Sequence, residues 1–312
     1  MLLAFSPRQT RTGDMTSWKA FVPGYSGKLA IEAMDRAMRG EASPSPVYEG
    51  QSGVIAYLLD GPEARYTVAL PAPGHPLRAI LETFTKAHSA VNHAQAFIDL
   101  ACELRPQVDL QQVREVVVHT NSAVHHIVGS GSNDPAKYDP DASRETLDHS
   151  LAYLVAVALE DGGFHHEHSY TSARAHRPET IALWRRVHSV IDPAWEALYR
   201  QALPDRPALG GRLAIHLHDG RVISGDKAVA DAHTHGARPM DHAGYVAKFR
   251  ALAGPMLVSE VVEAFLHLVH RLPEATPEAL SRLNPPVLPG RLHANTLDGR
   301  GIFDHGLAVT DW

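Results

Sequence analysis

The chain has a single cysteine, Cys102, among 312 residues. One thiol builds no disulfide framework, and it cannot hold an iron–sulfur cluster, which needs several cysteine ligands. A basic excess is missing too, since 29 Lys and Arg stand against 35 Asp and Glu for a net charge of −6. That balance argues against a general nucleic-acid binder. No apolar run reaches membrane-spanning length. The opening Met1-Leu-Leu-Ala-Phe5 is too short for a signal-peptide core, and Arg8 and Arg11 follow at once. The cytoplasm is the expected compartment.

What remains is a globular composition, 44% apolar and 21% charged, at a length that suits one large or two ordinary domains. Cys102 lies in the apolar-periodic run Ala96–Leu104 and reads as a small core residue. The 21 histidines stand out, but abundance is not a site. Phe164-His-His-Glu-His168 lacks the spacing that puts two ligands on one helical face, and it follows Gly162-Gly163, which places it in a loop. Asp231-Ala-His-Thr-His235 resembles the His-x-His of metal hydrolases, but the chain that follows cannot supply the barrel such a motif needs. No metal and no cofactor is expected.

Along the chain, residues 1–17 are polar and read as loose. Residues 18–40 read as a helix interrupted near Pro23-Gly24, Ser43–Pro46 as a turn, and Val54–Leu59 as helix or strand. Pro71–Pro76 has linker composition. A helix is expected over 90–105, then an alternating β-branched strand at Val113–Thr120. A turn-rich loop runs from Gly129 to Pro140, a helix spans 147–160, and another begins at Pro178. Gly211–Ser224 reads as a hairpin turning at Asp219-Gly220. Residues 241–272 are helical again, and the Pro- and Gly-rich tail beyond Pro273 reads as poorly ordered.

The densest chemical signal is Arg144-Glu-Thr-Leu-Asp-His-Ser-Leu-Ala-Tyr153, polar groups set in front of a helix that is apolar nearly all round through Leu159. Burying ionisable groups there is costly unless they are paired or used. Asp148, His149 and Tyr153 fall within about one and a half helical turns. Asp148 is suited to orient the His149 imidazole or, equally, to cap the helix. A Ser-His-Asp reading of Ser150 fails, because triad members seldom lie contiguously and no nucleophile elbow is present.

The stretch from Arg144 to Gly162 is similar to the central motif of the MmgE/PrpD family, whose members include 2-methylcitrate dehydratase. Thr16–Lys19, Glu82–Ala90 and Asp231–Pro239 agree with the same family in the same order, so the resemblance covers roughly residues 10 to 270. It implies an α+β fold in which a lid domain, residues 78–239, is inserted in a partial all-helical domain made of residues 1–77 and 240–312. It implies a cofactor-independent hydro-lyase that removes water from a β-hydroxy tricarboxylate to give 2-methyl-cis-aconitate. A non-catalytic remnant or binding module, and a sister activity such as cis-aconitate decarboxylation, stay open.

Such a dehydration needs cations for the carboxylates, a base for the proton beside one of them, and an acid for the departing hydroxyl. The candidates are Lys86, His88, His149 and Tyr153 as proton carriers, and Lys19, Arg144 and Arg238 as carboxylate binders. Lys19 at a helix entrance, the Lys86–His88 turn and an Arg238 salt bridge also have plain structural readings. Family members are longer, and the N-terminal half of the helical domain is expected to be absent here. A homodimer, or a second polypeptide carrying that half, is the expected partner.

Overall fold

The computed structural model describes residues 13–202 and 208–291, apart from 43, 44, 68, 70, 77 and 84. The expected looseness of residues 1–12 and of 292–312, the Ser43-Pro44 half of the turn, and Phe84 lie outside the described residues. The fold is α+β. It divides into two compact units, residues 1–239 and 240–312.

The first unit opens with α1 (Trp18–Met38) and the short α2 (Val54–Leu58). The helix α1 runs through Pro23 without the expected interruption. Pro23 lies near the helix start, so the hydrogen bond it forfeits is one to an early carbonyl. Next come α3 (Gln95–Leu104), β1 (Val113–Thr120), α4 (Ser122–Ile127), α5 (Arg144–Leu147), α6 (Leu151–Asp161), α7 (Ser172–Ala175) and α8 (Pro178–Trp184). The unit closes with β2 (Val187–Ile191), α9 (Pro193–Ala202), β3 (Gly211–Leu217) and β4 (Val222–Lys227).

The four strands form one sheet in the order β2-β1-β3-β4. β1 runs parallel to β2, with Val116 opposite Val187, and antiparallel to β3, with Val118 opposite Leu213. The β3–β4 hairpin turns at Asp219-Gly220 as expected, and Gly220 takes the left-handed φ of 89° that the turn requires. Alternation sends Val116, Val118, Leu213, Ile215 and Leu217 to one face, where α3 and α6 cover them. Gly211 lets Phe97 of α3 lie on the sheet, because a Cβ there would stand 2.1 Å from the His119 carbonyl and 3.0 Å from the Phe97 ring. The strand β2 was not foreseen, although Val187, Val190 and Ile191 are β-branched.

Helix α6 is the centre of this core, with every residue from Leu151 to Leu159 buried. The single helix expected over 147–160 is in fact two. Ser150 ends the approach and caps α6, its Oγ accepting from Tyr153 N at 3.2 Å and donating to the Lys137 carbonyl at 2.6 Å. Gly162 closes the helix at a φ of 64°.

The second unit holds α10 (His242–Ala253), α11 (Ser259–His270) and α12 (Pro277–Leu280). Gly254-Pro255 divide the helix expected across 241–272, since a Pro there stops a helix. The rings of Phe249 and Phe265 stack at 4.8 Å, and Arg250 grips Glu263 with two bonds of 2.9 and 2.8 Å.

If α6 is the keystone, Leu154→Ala should cost about 3 kcal/mol through lost burial and a residual cavity. Urea denaturation would read this as a lower midpoint with an unchanged slope. A loss under about 1 kcal/mol would contradict the packing described.

Candidate active site

The site is built where the polar corner before α6 meets the loop before α3. Residues 13–15 come first, because they fix Lys19. Thr146 Oγ1 donates to Gly13 O at 3.1 Å and accepts from Met15 N at 2.9 Å, while Ser143 Oγ donates to Met15 O. Met15 is fully buried, so α1 starts from an anchored point. One residue into that helix, Lys19 Nζ donates to Asp148 Oδ1 and Oδ2 at 3.0 and 3.2 Å, and it lies 3.0 Å from His149 Nδ1.

Asp148 Oδ1 also contacts His149 Nδ1 directly. A carboxylate only accepts and an ammonium only donates. Lys19 gives bonds to both Asp148 oxygens, and Nδ1 faces an acceptor in Asp148 and a donor in Lys19. Both contacts fall on Nδ1 and fix the orientation of the ring, and no partner of Nε2 is found among the described residues. Burial by itself would raise the Asp148 pKa. The hydrogen bond and charge of His149, and then Lys19, outweigh it and hold the carboxyl below the ordinary range.

The loop before α3 lies alongside. Val91 N donates to Asp148 O at 3.1 Å, and Lys86 Nζ donates to Ala90 O at 2.8 Å. His88 is held at both ends of its backbone by buried Gln95, with His88 N to Gln95 Oε1 at 3.0 Å and Gln95 Nε2 to His88 O at 3.1 Å. Its Nε2 lies 2.8 Å from Asp99 Oδ1. Tyr170 ties in the third wall: its hydroxyl donates to Ser89 O at 2.7 Å, and the Arg144 guanidinium lies over its ring at 4.6 Å. Burial pushes the Tyr170 phenol far up, so it serves as a fixed donor.

The structure thus brings together Lys19, Lys86, His88, Arg144 and His149. Tyr153 is not part of this cluster. It is wholly buried, packs edge-on to Trp184 at 4.9 Å, and gives its hydroxyl to Ser169 O at 2.6 Å. Burial raises its pKa to about 12. The cap at Ser150 explains the separation, since Tyr153 belongs to the buried helix while Asp148 and His149 stand in the turn before it. Arg238 lies outside as well, with its side chain largely exposed and paired to Asp231 Oδ2 at 2.6 Å.

His93 is a member that sequence reasoning missed. Its Nδ1 is buried without a hydrogen-bond partner. Burial, and then the nearby His149, lower its pKa from 6.5 to about 4. The signal was its position, three residues beyond the Glu82–Ala90 segment and directly ahead of α3. The histidines at 165, 166 and 168 stack on one another at 4.2–4.3 Å in the loop after Gly163. Among the described residues no group of three or more His, Cys, Asp or Glu is placed to hold a metal ion, and no helix is long and apolar enough to cross a membrane.

The MmgE/PrpD C-terminal domain matches residues 88–274, more than half of the chain, and the MmgE/PrpD N-terminal domain matches residues 2–67. The chain belongs to the MmgE/PrpD family. Membership supports a hydro-lyase type of activity on a small molecule. The matched regions contain every residue of the cluster except Lys86, which stands two residues ahead of the second match.

His93 makes stability depend on pH. Its folded pKa lies below its unfolded value, so between 6.5 and about 4 the unfolded chain binds the extra proton. Protonation of the folded chain is penalised by up to about 3 kcal/mol, so stability is greatest above pH 6.5 and falls as pH drops toward 4. Denaturation midpoints measured across this window should fall for the native chain and stay flatter for His93→Gln. Equal slopes would remove His93 from the account.

Proposed function

We propose that this protein is a cofactor-independent hydro-lyase of the 2-methylcitrate dehydratase type, acting on a β-hydroxy tricarboxylate. The observation that carries the reading is the Lys19–Asp148–His149 triple, in which both a carboxylate and an ammonium meet His149 at Nδ1 and leave Nε2 open. The same arrangement suits a base that must take a proton from carbon next to a carboxylate. His149 Nε2 takes that proton, and the electron pair left on carbon becomes the new double bond. The C–O bond to the neighbouring hydroxyl breaks, and the hydroxyl leaves as water with a proton from His88. Asp99, facing His88 Nε2, stabilises the imidazolium that gives it.

Arg144 and Lys86 are exposed on the segments beside this pair and are the carboxylate holders in this reading, with Arg238, exposed on its own loop and paired with Asp231, as a third. A guanidinium matches a carboxylate with two parallel bonds. Lys19 contributes by fixing Asp148 and by lending positive charge. Tyr153 takes a supporting place beneath the site. Within this proposal residues 78–239 act as the lid, residues 1–77 and 240–312 form the helical part, and the enzyme works as a cytoplasmic homodimer.

Turnover of 2-methylcitrate, followed by the absorbance of the unsaturated product, tests the reading. His149→Gln should lower kcat by roughly 10²–10⁴-fold, the contribution of a positioned base, with far less change in KM. A fully active His149→Gln variant, or a native chain that leaves every hydroxy tricarboxylate untouched, overturns it. Release of carbon dioxide in place of water would move the assignment to decarboxylation.

A further inference from the structure

Asp99 is buried, sits on α3, and uses both carboxylate oxygens on two different segments. Oδ1 lies 2.8 Å from His88 Nε2, and Oδ2 accepts from Asp231 N at 2.8 Å. Asp231 is itself buried and collects Lys227 Nζ at 2.7 Å and Arg238 at 2.6 Å, while its carbonyl accepts Arg238 N at 2.9 Å. Lys227 in turn reaches Glu103 at 2.7 Å, back on α3. Two candidate site segments that are far apart in the chain, 86–91 and 231–238, are therefore joined through one side chain.

We propose that Asp99 is a positioning residue that sets the proton state of His88 and, through the Asp231 backbone, the placement of Arg238. This deepens the function proposed above and rests on His88 taking part in it. Since the carboxylate only accepts, His88 Nε2 carries a hydrogen, which leaves Nδ1 as the nitrogen that carries and gives up the transferable proton. A buried acid that selects a histidine's tautomer and stabilises its imidazolium is a general device of acid–base sites. The second oxygen ties the Arg238 loop to the same helix, so carboxylate holder and proton carrier keep a constant separation.

Asp99→Asn separates the two duties with little change in shape. An amide offers one acceptor and one donor, so it cannot accept from both partners. The backbone N–H of Asp231 cannot change its role, whereas an imidazole can move its proton. The amide oxygen should then keep Asp231, and the amide NH₂ should force His88 Nε2 to accept. Nitrogen-15 NMR of histidine-labelled protein, with His88 assigned from His88→Ala, should show Nε2 protonated in the native chain and the proton on Nδ1 alone in Asp99→Asn. In Asp99→Ala the Asp231 amide should lose its hydrogen-exchange protection, which Asp99→Asn retains.

On the catalytic side, kcat should fall by about 10²-fold in Asp99→Asn, and the double variant with His88→Ala should be no slower than His88→Ala alone. An unchanged His88 tautomer in Asp99→Asn, or an Asp231 amide equally protected in Asp99→Ala, would refute the proposal. Independent, multiplying losses in the double variant would do the same. The NMR and exchange readouts need no turnover. If they behave as described while no hydroxy tricarboxylate is consumed, the positioning role stands and the proposed reaction falls.

Discussion

Asp148 is the constraint around which the site is arranged. It stands at the mouth of a helix that is buried along nine consecutive residues, where an unpaired carboxylate would cost several kcal/mol. Burial pushes it toward the neutral form, and only two cationic or hydrogen-bonding partners at once reverse that pressure. One partner, His149, is its neighbour in sequence. The other, Lys19, comes from 129 residues away. Satisfying this one acid therefore requires the start of α1 to lie on the core, and the imidazole is fixed by the same contacts.

A second acid, Asp99, repeats the arrangement from the opposite side, with His88 and the 231–238 loop as its dependants. The two halves touch through the backbone bond from Val91 to Asp148 and through Tyr170, which holds Ser89. His93, near His149, is a neutral imidazole with an unsatisfied nitrogen, an arrangement that destabilises the folded chain. Proteins tolerate such a group where function needs it. Its location beside His149 is consistent with a site that works by proton transfer.

Much of this was legible in the chain, and the limits have physical causes. The strand Val113–Thr120 and the turn at Asp219-Gly220 were readable because alternation and turn chemistry are local signals. The buried helix was readable from its apolar run, but the break at Ser150 was not. Ser150 caps α6 only because the Lys137 carbonyl, thirteen residues back, accepts its hydroxyl. That break turned Tyr153 into the core, whereas a continuous helix would have placed it beside His149. The strand β2 escaped notice because its five residues pair in parallel with β1, a partner whose position no local pattern reveals. His88 and Lys86 were singled out as candidates from their segment, yet the acid that faces His88 lies eleven residues on, inside an apolar helix where a charged residue passes for a surface position.

The precision with which Lys19 is placed does not originate in its own helix. Helix α1 has no fully buried residue, and Phe21, Ile31, Met34 and Met38 are exposed along it. Lys19, Val22, Ser26 and Leu29 are its half-buried positions, at spacings of three and four that define one narrow stripe. So shallow a stripe orients a helix poorly by packing alone. The ammonium is set instead from the N-terminal side, by Met15 in the core and by three hydrogen bonds from Ser143 and Thr146 to the backbone at Gly13 and Met15. Ser143 caps the start of α5, Thr146 lies within it, and Asp148 caps its end. Lys19 is thus held by the element that carries its partner, and the ion pair keeps its geometry whatever the remainder of α1 does.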